Sequence, residues 1–227
     1  MTTSKDTPAA RRARLHAAWL RTLSGARVRS GAEELFASLL AAYEGAGRHY
    51  HTTAHLDHCF SVLESEFAQV SPEVPLALWF HDVVYDPRRK DNEAASAELA
   101  AHHVQHTLDL SAAVADRVAE LVLATAHGAA EPAADAPPSR EVAIVTDVDL
   151  AIFGAEPSEF DRYEAAIRAE FEFVPEVVFA IGRSLILKRF LERPRIFNTR
   201  ELGESLLEAR ARSNLMRSVE QLASILE

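Results

Sequence analysis

The sequence predicts an all-α protein, on three observations. Alanine, leucine and glutamate are plentiful while glycine occurs only 8 times in 227 residues, a balance that favours helix over sheet. Apolar residues recur at threes and fours through most of the chain, the period of one helical face. The one Val/Ile-rich stretch that would suit a strand, Glu141 to Phe153, does not alternate cleanly and would have no strand to pair with.

In chain order, Lys5 to Leu23 reads as a helix with Leu15, Trp19 and Leu23 on one face, and Gly25 and Gly31 bracket a turn. Ala32 to Tyr43 is predicted as a second helix with Leu35, Leu39 and Tyr43 inward. From Thr52, the residues Leu56, Phe60, Leu63, Phe67 and Val70 form an apolar seam, and His51, His55 and His58 form a neighbouring stripe. Ser71-Pro-Glu-Val-Pro75 stops that helix, and Pro75 suits the first turn of the next. This next helix is apolar all round and is predicted to reach Asp86-Pro87, with His81-Asp82 in its last turns.

Asp91 reads as the N-cap of a helix running to about Thr107. Ser111 caps another, with Val114, Val118, Leu121 and Val122 buried and His127-Gly128 ending it. Ala129 to Pro138 is linker-like in composition. Glu141 to Phe153 is predicted as a buried helix closed by Gly154. Ser158 caps a helix with Phe160, Ile167 and Phe171 inward, and Pro175 opens one carrying Val178, Ile181 and Leu185. Asn198-Thr-Arg-Glu opens the last, with Leu215, Val219, Leu222 and Leu226 in register. One domain over residues 1–227 is expected, with a core at about 31–192 and a C-terminal helical extension at about 193–227 that could pair with a second copy.

The composition also narrows the functional classes. With 48% hydrophobic and 26% charged residues the chain reads as an ordinary soluble globular protein. No apolar run approaches the roughly 18 residues needed to span a bilayer, so no membrane partner is expected. The first residues, Met1 to Ala18, carry three arginines without a continuous apolar core; they read as an amphipathic helix rather than a signal or transit peptide. One cysteine, Cys59, excludes an internal disulfide and fits the reducing cytoplasm. A formal net charge of −10 argues against general nucleic-acid binding. An anionic substrate would need local positive charge, which a bound cation supplies.

The chemistry concentrates around His81-Asp82, at the end of the apolar run Leu76-Ala-Leu-Trp-Phe80. Burying an imidazole beside a carboxylate is costly unless both are paired, hydrogen-bonded or bound to a metal. Upstream lies Arg48-His-Tyr-His-Thr-Thr-Ala-His55, and downstream Thr146-Asp-Val-Asp149. The order His, His-Asp, Asp on successive helices points to one divalent metal with a mixed nitrogen and oxygen shell: Mn²⁺, Co²⁺, Ni²⁺, Fe²⁺, Zn²⁺ or Mg²⁺. Such a shell leaves positions for water and substrate.

Phe80-His-Asp-Val83 after an apolar run, with Tyr50-His-Thr-Thr-Ala-His55 upstream, resembles the HD superfamily of metal-dependent phosphohydrolases. The stretches Arg48-His-Tyr-His51, His81-Asp-Val-Val-Tyr-Asp-Pro87, Asp91-Asn-Glu-Ala-Ala-Ser-Ala97, Asp147-Val-Asp-Leu-Ala-Ile-Phe-Gly154 and Ala211-Arg-Ser-Asn-Leu215 resemble the group described as predicted metal-dependent HD phosphohydrolases. The resemblance implies an HD-domain helical bundle that hydrolyses a phosphate ester or anhydride of a nucleotide or small phosphorylated metabolite. It assigns metal binding to His55, His81, Asp82 and Asp149; Asp147 is the alternative to Asp149. The similar segment of cyclic-nucleotide phosphodiesterases implies His51 as general acid. Val84-Tyr85 departs from that family after the doublet, so cyclic-nucleotide hydrolysis is not implied.

Further residues carry weaker expectations. Glu93 is a candidate base or water-orienting residue, or simply complements a helix dipole. Arg48 and Lys90 are candidate phosphate contacts, set against a salt bridge and a solvated loop. His127 is a candidate for a phosphate contact or a second metal, while His102, His103 and His106 read as solvated. Two alternatives stay open: a di-iron oxygenase, which would need His103 and His127 as ligands, and a non-catalytic metal- or nucleotide-binding module.

Overall fold

A computed structural model describes residues 7–24, 31–127 and 137–226. Among them are eleven α-helices, one 3-10 turn and no strand, so the protein is all-α. No described helix is long and apolar enough to cross a membrane. The chain groups into two compact units, Met1–His127 and Gly128–Glu227. Most of the linker-like stretch 129–138 lies outside the described residues, as do the predicted start at Lys5 and the turn residue Gly25.

The first unit holds α1 (Pro8–Thr22), α2 (Ala32–Tyr43), α3 (Thr53–Glu66), α4 (Glu73–Phe80), α5 (Asn92–His106) and α6 (Ala112–Leu123). Its centre is α4, where Val74 and every residue from Leu76 to Phe80 is buried. Trp79 meets Trp19 edge-on at 5.3 Å, Phe36 at 5.8 Å and Phe60 at 4.6 Å, and its indole N–H donates to Thr22 Oγ1. One aromatic cluster thus ties α1, α2 and α3 to α4, each pair adding about 0.5–1.5 kcal/mol beyond area burial.

Two predicted helix ends move. The third helix stops at Glu66 rather than reaching Val70, because the chain turns extended at Phe67 and keeps that ring buried. The fourth stops at Phe80, so His81 and Asp82 stand just beyond it rather than in its last turns. His81 N–H still donates to Ala77 O, which carries the helix's rigidity into the doublet. Asp91 sits at the N-cap of α5 but its carboxylate pairs with Arg89 instead of capping, whereas Ser111 caps α6 as expected.

The second unit holds α7 (Arg140–Leu150), the 3-10 turn Ala151–Gly154, α8 (Pro157–Glu170), α9 (Glu176–Glu192), α10 (Arg200–Gly203) and α11 (Leu206–Ala223). The predicted buried helix Glu141 to Phe153 is α7 as far as Leu150, with residues 143–148 all buried, and continues as the 3-10 turn from Ala151. Gly154 lets α11 approach closely: a Cβ there would lie 2.9 Å from Leu207 Cβ, Cδ2 and O. Asn214 on α11 then donates to Phe153 O and Ala155 O, both at 2.9 Å, fixing α11 on the turn.

Three sequence expectations are corrected here. Ser158 lies inside the first turn of α8, where Pro157 takes the opening position and Glu156 the cap. Val178, Ile181 and Leu185 are 57, 47 and 56% exposed. The buried face of α9 is instead Ala180, Arg183, Ser184, Leu187 and Phe190. Arg183 can face inward because Tyr163 Oη and Glu164 accept from its guanidinium at 2.6 and 2.5 Å. The last predicted helix is two: Thr199 caps the short α10 and Ser205 restarts the chain as α11, leaving Leu226 exposed beyond its end.

Candidate metal centre

The centre in the first unit is built where the start of α3 meets the end of α4. Thr52 caps α3 by accepting from Ala54 N–H, which fixes the helix start and puts His55 in its first turn. α4 is apolar on every side and is buried from Leu76 to Phe80, so the doublet is carried on a wholly buried stem. His55 and His81 are themselves buried, and Asp82 is half-buried.

Three acceptor atoms converge. His55 Nε2 and His81 Nε2 are 3.0 Å apart. Asp82 Oδ2 lies 3.1 Å from His81 Nε2 and 3.5 Å from His55 Nε2. The tautomer of His81 follows from its other nitrogen: Nδ1 is 2.8 Å from Leu78 O, and a carbonyl has no hydrogen to give, so Nδ1 carries it. A neutral His81 therefore turns a lone pair toward the carboxylate. Two lone pairs 3.1 Å apart repel unless a proton or a cation lies between them. Edges of 3.0–3.5 Å are also what ligand atoms about 2.1 Å from one ion leave between them. His55, Cys59 and His81 offer ligand atoms all within 4.8 Å of one another, and such a group can hold a metal ion. The chain's own residues fit the divalent cation expected from sequence.

The surroundings hold the doublet in place. Arg48 donates to Asp82 O at 2.8 Å, Val83 O at 2.9 Å and His51 O at 2.9 Å, and its guanidinium lies over the rings of Tyr43 and Tyr85. Three of its five N–H groups thus brace the backbone, a use that neither a phosphate contact nor a salt bridge describes. Tyr43 Oη donates to Trp79 O and accepts from Asp82 N–H, both at 3.3 Å. Burial pushes the Tyr43 phenol well above its ordinary value, so it stays neutral. Behind the doublet, Ser96 Oγ accepts from Val84 N–H at 3.1 Å, and Asn92 holds Asp86 through both its amide atoms. The Asp91–Ala97 motif therefore serves to fix the loop that follows the doublet.

Other expected residues fall at varied distances from this centre. The His51 ring stacks on Tyr85 at 4.1 Å, and its centroid is 5.9 Å from that of His55. Glu93 is half-buried in the first turn of α5, one turn before Ser96; among the described residues its carboxylate makes no hydrogen bond or ion pair. Lys90 is exposed in the preceding loop. His127 is half-buried just past α6, its N–H on Thr125 O. His103 hydrogen-bonds Thr107 Oγ1 at 3.0 Å and stacks on Phe80, and no second metal-holding group of three or more side chains is found among the described residues.

In the second unit, Asp147 and Asp149 part company. Asp147 is fully buried and its two oxygens accept from Asn198 N–H and Nδ2 and from Thr199 N–H and Oγ1, at 2.6 to 3.2 Å. Burial raises its carboxyl above the ordinary range, with those four bonds pulling the other way. Asp147 is a structural acid that fixes the start of α10. Asp149 is half-buried, next to the last residue of the same helix.

No family model, curated protein or solved structure matches the chain. Sequence reasoning passed over two members of the centre. Cys59 was read only for redox compartment, although its position four after His55 puts it on the same helical face. Tyr43 was read only as core.

Proposed function

We propose that this protein is a metal-dependent phosphohydrolase acting on a nucleotide or small phosphorylated metabolite. The observation that carries the reading is the convergence of His55 Nε2, His81 Nε2 and Asp82 Oδ2 with the His81 proton committed to Leu78 O. A divalent cation held by these atoms supplies Lewis acidity toward a phosphoryl oxygen and acidifies a bound water. His55, His81 and Asp82 would hold the ion, and Arg48 keeps the Asp82 and Val83 carbonyls fixed. Asp149 is the proposed fourth ligand, a reading that the engagement of Asp147 with Asn198 and Thr199 supports. His51 gives a proton to the leaving oxygen, and Lys90 meets the substrate's negative charge. Glu93 orients the attacking water.

Protein reconstituted with Mn²⁺, Co²⁺, Ni²⁺ or Zn²⁺ and assayed on a panel of nucleotides and phosphomonoesters tests the proposal. Metal-dependent phosphate release that Asp82→Ala abolishes supports it. Full metal occupancy without turnover on any phosphate compound overturns it in favour of a binding module.

A further inference from the structure

We propose that Cys59 is a further ligand of this centre, and that its thiolate makes the centre prefer zinc, cobalt(II) or iron(II) over magnesium and manganese(II). The inference rests on the reading of His55 and His81 as metal ligands. Its basis is placement. Cys59 follows His55 by one helical turn on α3, so both side chains leave the helix on one face. Its sulfur is buried and stands 3.7 Å from His55 Nε2 and 3.8 Å from Nδ1. A nitrogen about 2.0 Å and a sulfur about 2.3 Å from one ion are separated by about 3.5 Å at a tetrahedral angle and about 3.7 Å at 120°, so the observed spacing is within reach of a coordination edge. The sulfur, His55 and His81 also lie within one 4.8 Å group.

The competing account is a buried thiol donating weakly to an imidazole, a contact that carries no metal preference. Coordination differs from it chemically. Binding the ion takes the sulfur as thiolate, and the thiol proton passes to solvent. With Cys59 added, the proposed shell of two imidazoles, two carboxylates and a thiolate is softer than an all-oxygen one, whereas magnesium and manganese favour oxygen.

The chain has a single cysteine, so any thiolate signal from the wild-type protein belongs to Cys59. The experiment is cobalt(II) loading of the full chain, followed by stoichiometry and near-ultraviolet absorption. Stoichiometric cobalt with a sulfur-to-cobalt charge-transfer band supports the proposal. So does loss of that band in a Cys59→Ala variant that still binds cobalt, with zinc affinity reduced at least about tenfold and manganese affinity little changed. Bound cobalt without the band overturns Cys59 ligation and leaves the histidine–aspartate centre standing. Failure of the wild type to bind cobalt overturns the centre itself, and the proposal with it. Should Cys59→Ala fail to fold, X-ray absorption of the zinc-loaded wild type decides alone: a sulfur scatterer in the zinc shell supports the assignment, and a shell of nitrogen and oxygen only refutes it.

Discussion

Replacing Asp147 with alanine should unfold the second unit more easily without touching metal binding. Its carboxylate accepts four hydrogen bonds, two from Asn198 and two from Thr199. Asn198 is exposed, so water can replace its lost partner, whereas Thr199 is only 4% exposed. The cost therefore falls on the Thr199 N–H and hydroxyl, at about 1–3 kcal/mol for each buried donor left unpaired. Alanine also relieves the desolvation that raises the Asp147 carboxyl, which offsets part of that loss. A net destabilisation of about 3 kcal/mol follows, or a fall in Tm of roughly 6–12 °C for a chain of this size. Urea unfolding followed by circular dichroism, with metal content measured on the same samples, is the assay. Asp149→Ala should do the reverse, losing metal while staying folded. Destabilisation by Asp147→Ala of less than about 1 kcal/mol, or loss of metal from a well-folded Asp147→Ala, would refute the division of labour between the two aspartates.

His58 supplies a pH prediction. Among the described residues its Nε2 is buried without a hydrogen-bond partner, and burial, reinforced by His55, lowers its pKa from the ordinary 6.5 to about 4. A histidine kept neutral when folded stabilises fully above its unfolded pKa and loses that contribution as pH falls toward the folded value. Wild type should therefore lose up to ~3 kcal/mol between pH 6.5 and 4 through this group. Denaturant midpoints of His58→Leu should lack that share of the slope; parallel pH curves for the two proteins would count against it. Arg48→Ala should cost about 3 kcal/mol through three lost carbonyl bonds and weaken metal binding, with Arg48→Lys unable to restore the forked geometry. Full recovery of stability and metal affinity in the lysine variant would argue against bracing. Gly154→Ala should destabilise by about 1–3 kcal/mol, and Leu207→Ala should not rescue it, because Leu207 Cβ and backbone oxygen both remain 2.9 Å from the new methyl. A thermal melt of the double variant that matches wild type would contradict that close approach.

The helices were legible where apolar spacing and local capping agreed. Leu35, Leu39 and Tyr43 set α2 by spacing alone, and at α6 the Ser111 cap agrees with Val118, Leu121 and Val122, all of them local cues. At α9 the apolar count misled. The structure buries Arg183 there through Tyr163 and Glu164, and a buried charge becomes tolerable only through partners distant in sequence. The opening at Asn198-Thr199 was legible, but the break after Gly203 was not: Ser205, accepting from Leu207 N–H, restarts the chain as α11. Within the candidate centre, His55, His81 and Asp82 were recognisable because a histidine–aspartate pair in an apolar run demands a reason. The bracing role of Arg48 was not, since a guanidinium that binds three backbone carbonyls leaves no mark in side-chain spacing.

The most direct test of the central claim is elemental analysis of the wild-type protein and of Asp82→Ala, both purified without chelators. The account predicts about one transition metal per chain in the wild type and none in a folded Asp82→Ala. No metal in the wild type, even after reconstitution, would contradict it: the lone pairs of His55, His81 and Asp82 would then converge on a shared proton rather than on an ion.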